Sequence, residues 1–438
     1  MKILILDIYK KTNYRISKDT SGGYGTGNDF GDSFTSKVLK KKLKKSHDWP
    51  PLFAAYTHSV LKKKGHNVVY LKEIPKNFLD FDIFIVVSSI VCCEEEIKSI
   101  KKISLVKKKV FAIGPFATNK PEKYIKAGAT VISGEPEFYF FENNDFNKDL
   151  LNQIINVNNQ LNLDDLPYPI WNELLDNKNV SSLFGKFISV PILGTRGCPY
   201  SCFKYCVYPL QQGRNVRQRT PKNIVDEIEY WSNKKVKMFI FRDPVFSINK
   251  KHTVDFCNKL IERNLNIKFV IETHLRILDN DLIRLLKRAG LKAVKVGVES
   301  FDPNVLEDSG RFTVSRDQQY DKIRELEKNK IQVSAMFILG FPSDNDKSIN
   351  QTINYAKKLN TTYAQFSVWT PYPGTPVFKE YENKIITSNY EDFDQYRLVY
   401  QHKLFDKETI RKYLSKAYSD YYFRLSWLFK YLLSFNNS

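Results

Sequence analysis

GTRGCPYSCFKYCVYP, residues Gly194–Pro209, decides how the chain is read, because it places three of the six cysteines within nine residues. Its Gly, Pro and Ser content excludes a regular helix, and an apolar run from Ile188 to Leu193 leads into it. A strand that ends in a loop carrying Cys198, Cys202 and Cys206 is the local form of an iron–sulfur site or a structural metal site. Zinc normally closes its tetrahedron with a fourth protein ligand. The loop offers no fourth Cys and no His, and the nearest downstream are His252 and Cys257. A four-iron cluster on three thiolates is the other solution, and it leaves one iron open to a ligand.

Downstream, the pattern predicts six strand–helix units. The strands are Ser189–Thr195, Lys237–Arg242, Ile267–Glu272, Ala293–Val298, Gln332–Leu339 and Ala364–Val368, with helices near 221–232, 251–263, 279–289, 316–329 and 346–359. Six units make an open, partial barrel, and barrels of this kind gather functional residues at the carboxyl ends of their strands. The cysteine loop follows the first strand, and Asp243 in FRDPVF follows the second. Glu272, His274 and Arg276 in ETHLR follow the third, and Glu299 and Ser300 in GVES follow the fourth. Gly340-Phe341-Pro342 follows the fifth and TPYPGTP, 370–376, the sixth.

Upstream, KILIL (Lys2–Leu6) reads as a buried strand ending in Asp7. The Gly-rich stretch SGGYGTGNDFGDS that follows, 21–33, lacks the Gly-Lys-Ser/Thr of a phosphate loop. A helix over Pro50–Lys64, strands Asn67–Leu71, Ile83–Ser88, Lys109–Ile113 and Thr130–Ser133, and a helix near 94–103 predict a doubly wound parallel sheet. Such sheets bind ligands beyond the carboxyl ends of their strands, which here carry Asp7, Ser88, Gly114, Gly134 and Glu135. The expected α/β organisation is therefore an N-terminal doubly wound Rossmann-like sheet (1–145), a linker (146–188), a partial (β/α)6 barrel (189–380) and a small C-terminal helical cap (381–438). The linker, with LDDLPYPIW at 163–171, reads as a connection laid across the surface. The aromatic stripe of AYSDYYFRLSWLFKYLLSF, 417–435, reads as core packing rather than a membrane-surface helix.

At 438 residues, 42% apolar and 14% aromatic, the chain is not a disordered one. Its net charge of +20 is dispersed apart from KVLKKKLKKSH (37–47) and KKISLVKKK (101–109), so it reads as a solvated basic surface, with no nucleic-acid partner expected. No stretch approaches the roughly 20 apolar residues of a membrane span, and MKILILDIYKK is too short in its apolar run for a signal peptide. Few, clustered cysteines fit a reducing cytoplasm; Cys92, Cys93 and Cys257 lie in or beside apolar runs and read as core.

The cysteine loop resembles the cluster loop of the radical S-adenosylmethionine (SAM) superfamily, Cys-x-x-x-Cys-x-aromatic-Cys. The first spacing matches and Tyr205 supplies the aromatic, while Phe203, Lys204 and Tyr205 stand where the common pattern has two residues, an expected one-residue bulge. The first domain resembles the cobalamin-binding domain found ahead of many such enzymes, including those of the anaerobic magnesium-protoporphyrin ester cyclase and class B methyltransferase kinds. PPLFAAYTHSVLKKKGHNV, the strand ending in Ser88-Ser89, GPFATNKPE and the GEPE turn carry that likeness. Asp7 is followed by Ile8 and Tyr9, without the Asp-x-His-x-x-Gly that ligates cobalt in the methionine-synthase kind, so the resemblance implies a corrin held without histidine.

The resemblance further implies a [4Fe–4S] cluster on Cys198, Cys202 and Cys206, and SAM on its open iron. Arg276 is expected at the SAM carboxylate, Asp243 at its amino group and Glu299 at the ribose, with Ser300 and Gly340 edging the same molecule. Ser88, Gly114, Gly134 and Glu135 are expected at cobalamin, and Tyr200, Tyr208 and Tyr372 around the substrate. The implied chemistry is reductive SAM cleavage, driven by a flavodoxin or ferredoxin, with a methyl group carried by cobalamin to an unactivated carbon or phosphinate centre of a small molecule. A cyclase, oxidase or isomerase without net methyl transfer, and a non-catalytic corrinoid-binding protein, are the alternatives.

Overall fold

A computed structural model describes the chain apart from residues 45–48, 144–145, 147–151, 159–160, 176–179, 182–186, 312–313 and 436–438. The near-continuous apolar runs of the first domain form strands covered on both faces, as parallel sheets require. They are β1 (Lys2–Leu6), β2 (Asn67–Leu71), β3 (Ile83–Val87), β4 (Lys109–Ile113), β5 (Thr130–Ser133) and β6 (Ile154–Asn156). The sheet order is β2-β1-β3-β4-β5-β6, with every pair parallel. The order reverses between β1 and β3, so the switch point lies at Asp7 and Ser88–Ser89. β6 comes from the segment expected to cross the surface, which also buries Leu163, Leu166 and Trp171. A three-residue strand flanked by Asn has no periodic signal of its own, and only its pairing with β5 makes it one.

The second sheet runs β7 (Phe187–Ile192), β8 (Met238–Phe241), β9 (Lys268–Glu272), β10 (Leu291–Glu299), β11 (Gln332–Leu339) and β12 (Tyr363–Val368). All neighbours are parallel, and Val180–Ser181 adds an antiparallel edge beside β7. β12 and β7 do not pair, so the sheet curls into a half-open barrel. The intervening helices start on side-chain caps: Thr220, Asn249, Asp279, Ser315 and Asn345 each accept a backbone N–H from the first turn, worth about 0.5–2 kcal/mol apiece.

The exposed edge at β12 is covered by the helix Lys407–Tyr422. The Tyr418 hydroxyl accepts from Phe366 N (3.1 Å) and donates to its carbonyl (2.8 Å), and Tyr422 does the same at Ala364 (3.0 and 2.7 Å). The first half of the 417–435 stripe, Tyr418 and Tyr421, is thus core packing at a strand edge, whereas in its second half Phe423, Leu425, Leu428, Phe429 and Leu432 are exposed, contrary to the expected core packing. Among the described residues no helix is long and apolar enough to cross a membrane.

Candidate active site

β7 delivers the chain to Gly194, and the base of the cysteine loop is closed by Thr195–Arg196 pairing antiparallel with Arg217–Gln218. Gly197 has φ +85°, and a Cβ there would lie 2.0 Å from the Asn215 carbonyl, so only glycine fits. Ser201–Lys204 form a 3-10 turn, after which both Tyr205 N and Cys206 N donate to the Cys202 carbonyl (3.2 and 3.1 Å). The extra residue before Cys206 is absorbed in that one turn.

Cys198 and Cys202 are buried and Cys206 is half-buried. Burial first, and then the charge of Cys202, push both Cys198 and Cys206 up. Thiols raised in this way become thiolates when a cationic centre sits among them. Among the described residues no three His, Cys, Asp or Glu side chains group tightly enough to hold a single ion. A cube of four irons asks for a wider triangle of sulfurs than one ion does, and three Cys without a fourth ligand is the donor set it takes.

The loop borders a cavity of about 320 Å³ at the carboxyl ends of the barrel strands. Cys206, Tyr208, Glu299 and Tyr372 line it, as do Glu272 and Lys295. Glu299 ends β10 with φ +66°, a left-handed backbone that costs a non-glycine residue about 1–3 kcal/mol and is characteristic of functional positions. Its carboxylate pairs with Arg311 (3.2 Å), which also donates to the Cys202 sulfur (3.6 Å) and to the Gly297 carbonyl (3.2 Å). Arg311 therefore ties the end of β10 to the cluster loop. Burial still holds the Glu299 carboxyl above the usual range.

The other expected SAM contacts sit elsewhere. Asp243 lies behind the loop: its Oδ1 accepts Gly194 N (2.8 Å), and its buried Oδ2 has no partner among the described residues. Burial pushes this carboxyl up to about 7. Arg276 is exposed, outside the cavity wall, with its charge felt by Tyr200, which packs on His274 at 5.9 Å. Ser300 is a turn residue, accepting Asp302 N (3.2 Å) beside Thr352. Gly340, at φ +72°, receives the Tyr400 hydroxyl on its carbonyl (3.0 Å) and packs against Ile410. Of the expected SAM residues only Glu299 joins Cys206 in the cavity wall.

The carboxyl edge of the first sheet is filled by the chain itself. Lys18, fully buried, pairs with Asp7 (3.2 Å) and Glu96 (2.8 Å) and donates to the Val87 carbonyl (3.1 Å). Glu96 also accepts from Ser89 and Tyr124. Tyr24 accepts Ile90 N on its carbonyl (2.9 Å) and donates its hydroxyl to Pro373 O (2.8 Å), stitching the Gly-rich segment between the sheet and the barrel side. Ser88 accepts Ala117 N (3.0 Å), and Gly134 N donates to Thr118 (3.1 Å). A Cβ on Gly114 would meet Phe53 at 2.7 Å. Glu135 pairs with Arg196 (2.9 Å) and Arg217, and Glu137 with Arg196. The residues expected around a corrin are engaged in turns and in a junction with the cysteine loop. Sequence reasoning passed over Lys18, Arg196, Lys295 and Arg311; only Arg196, two residues before Cys198, had a local signal.

Residues 192–356 match the family model of the radical SAM superfamily. The chain is 28% identical over 424 residues to the uncharacterized methyltransferase PH0819 of Pyrococcus horikoshii, covering 87% of this chain and 89% of that one. It is 27% identical over 239 residues to the bacteriochlorophyllide d C-12(1)-methyltransferase of Chlorobaculum tepidum, 53% of this chain and 51% of that protein. Among solved structures it resembles the radical SAM methyltransferase TsrM of Kitasatospora setae, determined with cobalamin and a [4Fe–4S] cluster bound. The TM-score is 0.61 at 15% identity, over 87% of this chain and 78% of that one, a likeness of fold. The matched model coincides with the cysteine loop and the half-open barrel, so residues 192–356 carry a radical SAM domain.

Proposed function

We propose that this enzyme cleaves SAM reductively and transfers a methyl group to a small molecule bound in the cavity beside Cys206 and Glu299. The observation that carries the reading is that the three-cysteine loop borders, through Cys206, a cavity whose wall also includes the buried Glu299 in a left-handed backbone conformation. Cys198, Cys202 and Cys206 would hold a [4Fe–4S] cluster, which would supply the electron for reductive cleavage of the sulfonium, with a flavodoxin or ferredoxin as the reductant. Glu299 accepts hydrogen bonds from the SAM ribose, and Arg311 fixes that carboxylate relative to Cys202. Asp243 holds the start of the loop through Gly194. Tyr208 and Tyr372 wall the space in which the 5′-deoxyadenosyl carbon meets a substrate hydrogen. In this division of labour residues 1–145 buttress the loop, 189–380 hold the cluster and SAM, and 381–438 cover the barrel edge.

Methyl transfer is favoured by the names of the relatives. Cobalamin is the methyl carrier that the TsrM likeness suggests. Lys18, Asp7 and Glu96 are closed on one another over the switch point of the first sheet. That covered edge favours a second reading, radical chemistry without net methyl transfer. Anaerobic turnover with methyl-labelled SAM separates the two: label in the product supports transfer, while 5′-deoxyadenosine with unlabelled product supports the second. Absence of SAM cleavage by fully reconstituted protein would overturn both.

A further inference from the structure

The helix Leu425–Phe435 turns an apolar side outward. Leu425, Leu428, Phe429 and Leu432, spaced i, i+3, i+4 and i+7 and so adjacent on one face, are exposed, Phe429 by 65%, and Phe423 in the turn before them by 80%. The other side is the one that packs. The Trp427 indole donates to the Thr362 carbonyl (3.0 Å), Tyr431 stacks on Trp427 at 4.9 Å, and Lys430 pairs with Glu327. An apolar face left in water beside a well-anchored polar-aromatic one marks an interaction surface.

The helix Phe34–Lys44, FTSKVLKKKLK, meets it and carries five lysines and no acid. Lys42 joins the two, donating to the Tyr431 hydroxyl (3.3 Å). Leu39 and Leu43 pack inward, while Phe34, Lys37, Val38 and Lys41, again at i, i+3, i+4 and i+7, are exposed. Its outer face therefore mixes apolar and cationic groups. Carboxylates around the two helices are already matched: Asp29 and Asp32 by Arg411, Asp420 by Lys416 and Glu327 by Lys430. An uncovered apolar face flanked by lysines is complementary to a surface that offers hydrocarbon beneath negative charge. We propose that these two helices are a docking surface for an anionic lipid bilayer, with Leu425, Leu428, Phe429 and Leu432 entering the acyl boundary and Lys37 and Lys41 meeting headgroup phosphates. At about 1.5 Å per residue the 11 residues of Leu425–Phe435 reach only about half of a ~30 Å hydrocarbon core, so the helix lies in the interface and does not cross it. A second copy of the chain suits the surface less well, because a two-fold contact across it would bring the lysine-bearing helices of both copies together.

The surface is separate from the cluster loop and the SAM cavity, so docking is measured without turnover. The full chain, anaerobically reconstituted, is sedimented with vesicles of phosphatidylcholine and with vesicles in which a third of the lipid is phosphatidylglycerol. Partition about tenfold or more stronger into the anionic vesicles is expected, falling as salt rises. Leu428→Ser with Phe429→Ser leaves the net charge unchanged and is expected to weaken that partition about tenfold or more, with iron content, SAM cleavage and circular dichroism as in wild type. Lys37→Gln with Lys41→Gln should weaken it by a similar factor, whereas Lys101→Gln with Lys102→Gln, in the other basic run, should leave it unchanged. Equal partition into both vesicles, wild-type partition in the serine variant, or equal losses from the two lysine pairs would each overturn the assignment. So would folded protein that ignores both vesicles, and a dimer dissociated by the serine variant would then give the face to a second copy.

Discussion

Replacing Arg196 with methionine should separate the two domains' shared charge cluster. Arg196 is 4% exposed and stands at the base of the cysteine loop. Its guanidinium reaches Glu135 at 2.9 Å and Glu137, with the rings of Tyr56 and Phe138 at 5.8 and 5.6 Å. Methionine preserves the contact with those rings and removes the charge. Glu135 keeps Arg217, but Glu137, fully buried with Oε2 already lacking a partner among the described residues, is left with no cation. Breaking a buried pair from one side costs about 3–5 kcal/mol. Protonation limits that cost, because Glu137 can escape by taking up a proton, and burial already holds it above the ordinary carboxyl range. A carboxyl whose folded pKa lies above its unfolded value releases a proton on unfolding, so stability falls as pH rises. If Glu137 is protonated throughout in the variant, the loss at pH 8 exceeds that at pH 6 by up to about 2.7 kcal/mol, at 1.36 kcal/mol per pH unit. Urea unfolding followed by tryptophan fluorescence at both pH values measures this, with iron per chain reporting whether the loop stays in place. A loss below about 1 kcal/mol at pH 8, or the same loss at both, would refute the account. Glu137→Gln, which keeps a hydrogen-bond acceptor and leaves Arg196 with Glu135, should cost less.

Cys202→Ala should reconstitute without a stable cluster and fail to cleave SAM, while its circular dichroism stays native; retained four-iron stoichiometry would count against the ligand set. Glu299→Gln should weaken SAM binding about tenfold or more, as loss of a hydrogen bond to a charged group costs about 1.5–3 kcal/mol, and equilibrium dialysis with unchanged affinity would remove Glu299 from the ribose. Arg311→Met removes a cation and an N–H donor from the Cys202 sulfur, so the cluster potential should fall by several tens of millivolts in an electron-paramagnetic redox titration; a rise would reverse the reasoning. Asp243 titrates near 7 in the fold against about 3.9 unfolded, so its burial makes the protein less stable as pH rises between those values. Asp243→Asn keeps the Gly194 hydrogen bond and should flatten that slope in urea-midpoint measurements, whereas a slope matching wild type would place the titration elsewhere.

What the chain discloses before folding depends on how far apart the partners are. Strands such as Gln332–Leu339 and helices such as Asp346–Leu359 coincide with their expected bounds because apolar period and caps are local. The cysteine loop and Glu299 are also legible, one by spacing and the other by its place at a strand end. Contacts between distant parts of the chain have no such signature: Lys18 meets Glu96 from 78 residues away, and Arg196 meets Glu137 from 59. The Gly-rich stretch announces a turn and nothing about its destination. Gly23 and Gly25 have φ +93° and +88°, and a Cβ on either would fall within 2.8 Å of Phe53 or Val91, so glycine is what lets this backbone lie flat on the sheet edge. The same passage then turns Ser17, Thr20 and Thr26 toward the barrel cavity. One segment thus covers the switch point of the first sheet and supplies a wall of the second domain's site. Its fit to the sheet and its fit to the ligand cannot vary independently, and a substitution at Lys18, remote from the cluster, should be felt in substrate affinity before it is felt in SAM cleavage.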